Sequence, residues 1–181
     1  SRNFNGGAMP WLNALLGGVF DVRANSATNG NTLAGLLGTL DNDFDDPSNP
    51  GLAGLTLGWV AFGIGTADAK GSDGTGGVAL DATAEGLYID IIDKLLAYAE
   101  QVVIWPLPPL GQGANNKSAI FAVWNAYLAS LPAVYGNGRV WFVDDTANMS
   151  VSGGDINPQM YIADDGHHSG AGRYQRALNN L

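Results

Sequence analysis

The chain has 181 residues, 46% of them hydrophobic and 14% charged, which suits one globular domain able to bury a sizeable core. Seventeen acidic against eight basic residues give a net charge of -9, and no Lys/Arg cluster of the kind that neutralises phosphates is present, so neither nucleic acid nor an anionic membrane is an expected partner. The absence of cysteine excludes disulfides, thiolate metal sites and a cysteine nucleophile, and no apolar run is expected to reach the roughly 18 residues of a membrane span.

Taken in chain order, "PWLNALLGG" at 10–18 predicts a helix with Pro10 in its first turn and Gly17 and Gly18 as its stop. A short strand is expected at 19–25, a second short helix at 32–40, and the acidic "DNDFDDPSNPG" at 41–51 reads as a loop. "LTLGWVAFGIG" at 55–65 predicts a buried strand, and 84–100 carries apolar residues at helical spacing. A strand broken by prolines follows at 101–109, then a helix at 118–135, a strand at 138–145 and a closing helix at 169–181. The stretch "KGSDGTGG" at 70–77 is a loop long enough to rim a site. No internal repeat and no domain boundary interrupts 1–181. Strands alternating with amphipathic helices predict an α/β domain with a mainly parallel sheet.

In such sheets the ligand site lies beyond the carboxyl ends of the strands. Four segments occupy those places: "NSATNGNT" near Gly30, "GTADA" at 65–69, "PLPPLGQG" at 106–113, and the long loop leading to "DDGHH" at 164–168, which holds both histidines of the chain. In this order the segments resemble the blocks of the SGNH, or GDSL-type, hydrolase family. Gly30 and Thr32 resemble its second block, Gly65, Ala67 and Asp68 its third, Gly-x-Asn-Asp, and Asp165 with His168 its fifth, Asp-x-x-His. The resemblance implies a flavodoxin-like three-layer α/β/α sandwich and a serine ester hydrolase with a Ser-His-Asp triad and no cofactor. It places Ser1 as nucleophile, His168 as base, Asp165 as the acid that orients it, the Gly30 amide as oxyanion donor, and Asp68 as a brace for the neighbouring loop. A second register, Asp164 with His167, also fits the fifth block, and the first is preferred because its glycine directly follows the acid.

The chemistry explains the residue types. A serine hydroxyl becomes nucleophilic when an imidazole takes its proton, and a carboxylate on the other ring nitrogen keeps the imidazole in the right tautomer. The oxyanion that forms must meet preset N–H donors. Two departures from the family pattern bear on this. The family has Gly-Asp-Ser after a central first strand, whereas the sequence begins at Ser1, so that strand is expected to be missing and to be filled by a companion segment or chain. Ala67 stands where the family has an asparagine whose amide helps to bind the oxyanion.

Simpler readings stand beside these. Gly30 and Gly65 taken singly are turn glycines, and "DDGHHSG" could be a polar helix start. Trp11, Trp59, Trp105, Trp124 and Trp141 are expected in the core. Asp41, Asp43 and Asp45 alternate like calcium ligands, but Asp46 and Leu52 stand where a calcium loop needs glycine and glutamate, so no metal is expected. Three function classes follow: an esterase acting on a small ester or an acylated carbohydrate, a non-catalytic SGNH-like binding or structural module of a larger surface or virion assembly, and an N-terminal-nucleophile amidohydrolase using the α-amine of Ser1. The strand-helix alternation argues against the third.

Overall fold

Residues 14–18, 30–45, 56–71, 77–110, 117–151 and 155–160 are described by the computed structural model. They contain, in order, helix α1 (Leu33–Asp45), strand β1 (Leu57–Phe62), a short helix α2 (Thr66–Lys70), helix α3 (Ala82–Tyr98), strand β2 (Ala99–Ile104), helix α4 (Ser118–Tyr135) and strand β3 (Val140–Phe142). The three strands form one parallel sheet in the order β1-β2-β3. Phe62 pairs with Ile104 and Ile104 with Phe142, so all three strands end at one common edge. This is an α/β sandwich, with helices packed on a parallel sheet.

Helix spacing decides which faces meet. In α1, Leu33, Leu36, Leu37 and Leu40 recur at i, i+3, i+4 and i+7, and in α3 Tyr88, Ile91, Ile92 and Leu95 do the same; both stripes enter one core cluster. In α4 the buried stripe is Phe121, Trp124, Leu128 and Leu131. The tyrosines of α4 tie it to α3: Tyr127 donates its hydroxyl to the Glu85 carbonyl at 3.1 Å, and Tyr135 donates to the Ile89 carbonyl at 3.2 Å. The crossovers from β1 through α3 to β2, and from β2 through α4 to β3, follow the sheet in chain order, and the hydrogen bonds and ring contacts between α3 and α4 set the two helices side by side.

Several expectations change. The helix expected at 32–40 continues to Asp45 and takes in the first half of the presumed acidic loop. No glycine or proline occurs between Gly38 and Pro47, so nothing stops the cooperative extension of the helix. Asp41, Asp43 and Asp45 therefore lie on the last turns of a helix and not in a loop. Ala99 and Glu100, expected at the end of a helix, instead open β2: Ala99 is already extended, at φ -130 and ψ 149, and no loop separates α3 from the strand. The Arg139 guanidinium covers this junction by donating to the carbonyls of Leu96, Ala99 and Glu100 at 2.8 to 2.9 Å.

Trp124 is buried and Trp59 and Trp105 are half-buried, but Trp141 is 50% exposed rather than core. Neighbouring residues of a strand point to opposite faces, and in β3 it is Val140 that turns inward. Against expectation, α4 is long and apolar enough, by length and composition, to cross a membrane. Here its apolar stripe packs into the core, and its Asn125 is spent on a loop of the same domain. After β3 the chain forms an unforeseen bridge, Ser150 with Ile156, over a small cluster of Met149, Ile156 and Met160. The helix expected at 10–18 is seen only from residue 14, with Gly17 and Gly18 at φ 76 and 77 closing it. The strand expected at 19–25 and the helix expected at 169–181 lie outside the described residues.

Candidate active site

The common edge where the strands end gathers the second-block and third-block residues. Gly30 is exposed in a left-handed turn, φ 70, two residues before the helix cap. Thr32 is that cap: its hydroxyl accepts from the Gly35 amide at 3.1 Å, satisfying one of the free N–H groups at the start of α1. Another is satisfied from a distant part of the chain. The Leu33 amide donates to both carboxylate oxygens of Asp68, at 3.1 and 3.3 Å. A carboxylate at a helix N-terminus also meets the positive end of the helix dipole. Asp68 thus joins the turn after β1 to the turn that carries Gly30.

The turn after β1 is built around Gly65. It precedes α2 in a left-handed conformation, φ 110 and ψ -7, and its missing side chain leaves room for the Tyr88 hydroxyl and for Leu107. A Cβ at position 65 would overlap the Tyr88 hydroxyl, so glycine is required here by backbone conformation and by close approach together. Tyr88 comes from α3, is fully buried, and donates its hydroxyl to the Ile64 carbonyl at 2.7 Å. Burial, reinforced by the nearby Asp68 carboxylate, pushes the Tyr88 phenol well above its ordinary range, so the hydroxyl stays a neutral donor. The ring is held edge-on against Trp124, with centroids 6.1 Å apart. Ala67 is half-buried within α2, one residue before Asp68.

The exit of β2 is fastened from α4. Asn125 accepts from the Leu107 amide at 2.7 Å and donates to the Leu107 carbonyl at 3.0 Å, so one side-chain amide satisfies both backbone groups of that residue. The Lys117 amide then donates to the Leu110 carbonyl at 2.9 Å, closing the segment on the start of α4. Trp124 donates its indole N–H to the Val78 carbonyl at 3.0 Å, and the Val78 amide donates to the Ala69 carbonyl at 2.8 Å. The far end of the loop expected at 70–77 is thereby anchored, while its centre at 72–76 lies outside the described residues.

Of the residues singled out from sequence, Gly30, Gly65, Ala67 and Asp68 are brought to one edge of the sheet. Ser1, Asp164, Asp165, His167 and His168 lie outside the described residues. Sequence reasoning passed over Tyr88, within the apolar stripe of α3, and Asn125, beside that of α4, each of which hydrogen-bonds a strand exit. It also passed over two charged residues buried near this edge, Lys117 at 6% exposure and Asp145 at 0%.

No protein-family model matches the chain, and no curated protein sequence does. Among the solved structures similar to the chain are the following two. A GDSL-like lipase from Bacteroides thetaiotaomicron is 20% identical, with a TM-score of 0.56 over 82% of this chain and 69% of that one. A putative acylhydrolase from Bacteroides fragilis is 18% identical, with a TM-score of 0.58 over 98% of this chain and 86% of that one. At this level of identity the likeness concerns the fold: the chain has the α/β sandwich of these two proteins.

Proposed function

We propose that the chain is a serine ester hydrolase of GDSL type acting on an O-acyl ester, either a small ester or an acylated carbohydrate. The observation that carries this reading is the bond from the Leu33 amide to the Asp68 carboxylate, which joins the second-block and third-block turns at the carboxyl edge of a parallel sheet. The fold shared with a GDSL-like lipase and a putative acylhydrolase supports the same reading.

In this reading Ser1 attacks the ester carbonyl while His168, held by Asp165, takes the hydroxyl proton. The tetrahedral oxyanion is met by N–H donors that include the Gly30 amide. Collapse expels the alcohol, which leaves with the proton from the histidine, and water then releases the acid from the acyl-serine by the same route. With Ala67 in place of an amide side chain, the site works with one donor fewer, at a cost of about 100- to 1000-fold in turnover.

A fluorophosphonate probe tests the proposal. The folded wild-type protein is expected to be labelled on Ser1, and His168→Ala to abolish labelling and p-nitrophenyl acetate turnover together. Loss with His167→Ala in place of His168→Ala would select the Asp164 and His167 register. Labelling that survives both changes would remove the triad, and a wild-type protein that takes no label would leave the non-catalytic module.

A further inference from the structure

We infer that Tyr88 is a positioning residue of the candidate active site, holding the Gly65–Asp68 turn, and through Asp68 the Gly30 turn, in the geometry that oxyanion binding requires. The inference rests on the hydrolase reading and adds to it a residue that belongs to none of the sequence blocks. The hydroxyl of Tyr88 donates to the Ile64 carbonyl at 2.7 Å. Because the peptide unit is planar and trans, fixing that carbonyl fixes the Gly65 N–H on the same plane, and with it the direction in which the chain leaves β1. Gly65 follows at φ 110, a conformation open to glycine, so the direction of the turn is set by what holds the peptide units around it. Three residues further on, Asp68 holds the Leu33 amide, and Gly30 lies just ahead of that amide in the chain. The path from Tyr88 to Gly30 therefore runs through one side-chain hydrogen bond, one short turn and one carboxylate bond.

The surroundings of Tyr88 leave its ring little freedom. It is buried at 0% exposure, stacked edge-on to Trp124 and tilted against Tyr127, and Gly65 has no side chain to separate turn from phenol. A ring held on three sides aims its hydroxyl at one place. Removing only the oxygen would leave the ring packed and release the Ile64 carbonyl, which separates positioning from packing. The released carbonyl would also become a partly buried acceptor without this partner, which favours rotation of the peptide unit and displacement of the turn.

The test is Tyr88→Phe, studied by ester kinetics and by amide hydrogen exchange, with folding verified by circular dichroism. The expected result is a kcat lower by roughly 10- to 100-fold at an unchanged KM, because misplacement acts on the transition state more than on ground-state binding. Exchange of the Leu33 amide should quicken several-fold relative to amides in the middle of α3, since its Asp68 acceptor is no longer held in place. Full kcat in a folded Tyr88→Phe protein would overturn the inference, and so would a lowered Tm with kcat and KM both unchanged. If the wild-type protein hydrolyses no ester and takes no fluorophosphonate, the hydrolase reading itself fails. The exchange result then decides alone: quickening at Leu33 supports Tyr88 as the support of this turn, and unchanged exchange overturns it.

Discussion

At the scale of single residues, Ala67 is the position where the proposed chemistry and the present side chain disagree most. It is half-buried on the first turn of a five-residue helix, and it directly precedes the aspartate that grips the neighbouring helix. A side-chain amide there would add an N–H donor without disturbing the Asp68 bond. Ala67→Asn is therefore expected to raise kcat by about 10-fold or more, with a smaller change in KM, because an oxyanion donor acts mainly in the transition state. Steady-state kinetics on p-nitrophenyl acetate would show it, and an unchanged or lower kcat in a folded variant would mean that α2 does not face an oxyanion. The reach of sequence reasoning is clear at this scale. Gly65 was marked as a turn residue from its place after a strand, but the overlap that makes it obligatory comes from Tyr88, 23 positions away in sequence.

At the scale of elements, two of the three strand exits are each fastened by one polar side chain from a helix: Tyr88 of α3 holds the exit of β1, and Asn125 of α4 holds that of β2. Asn125→Ala leaves the amide and the carbonyl of Leu107 both without this partner, and an expected cost of about 2 kcal/mol follows from unmet backbone groups that are partly buried. Asn125→Asp keeps the acceptor for the Leu107 amide and loses the donor to its carbonyl, so its urea midpoint should fall between those of wild type and Asn125→Ala. A midpoint for Asn125→Ala equal to wild type would show that water replaces the side chain at no cost. Helix α4 was legible from sequence to its exact ends, because a Gly at 136 in the left-handed conformation and a long apolar run mark both limits. The end of α1 was not, since acidic residues resemble a loop in composition while nothing in them breaks a helix. The buried stripes were also readable, but the partners of Tyr88 and Asn125 depend on which strand lies beneath which helix.

For the whole molecule, the order of strands and helices was sufficient to anticipate a parallel α/β sandwich, since short βαβ crossovers admit few arrangements. The loopless passage from α3 to β2, the exposed Trp141 and the buried Lys117 and Asp145 were beyond it, because each depends on packing between distant segments. The tyrosines that tie α3 to the exit of β1 and α4 to α3 also set a limit at high pH. Tyr88, Tyr127 and Tyr135 all have phenols raised above the ordinary 10.0, in each case chiefly by burial. Below about pH 10 both folded and unfolded chains hold these protons, so the stabilisation is fully present; above it the unfolded chain releases them first, and stability falls as pH rises. The unfolding free energy from urea titrations should be insensitive to these groups up to about pH 9.5 and decline beyond pH 10, by up to about 1.4 kcal/mol per pH unit from Tyr88 alone. The decline should be shallower in Tyr88→Phe, and equal slopes in the two proteins would disconnect Tyr88 from it.

The direct passage from Tyr98 to Ala99, closed over by Arg139, removes all slack between a helix and the central strand. Adding one residue there could not be absorbed locally: it would either turn α3 by about 100° against the sheet or exchange the two faces of β2. Because β2 is paired on both sides, the second outcome would set Val102 and Ile104 against the wrong neighbours in two ladders at once. Changes in chain length are therefore excluded at this junction, which keeps the register of β2, whereas the passage from α4 to β3 has residues 136–139 in which to absorb them.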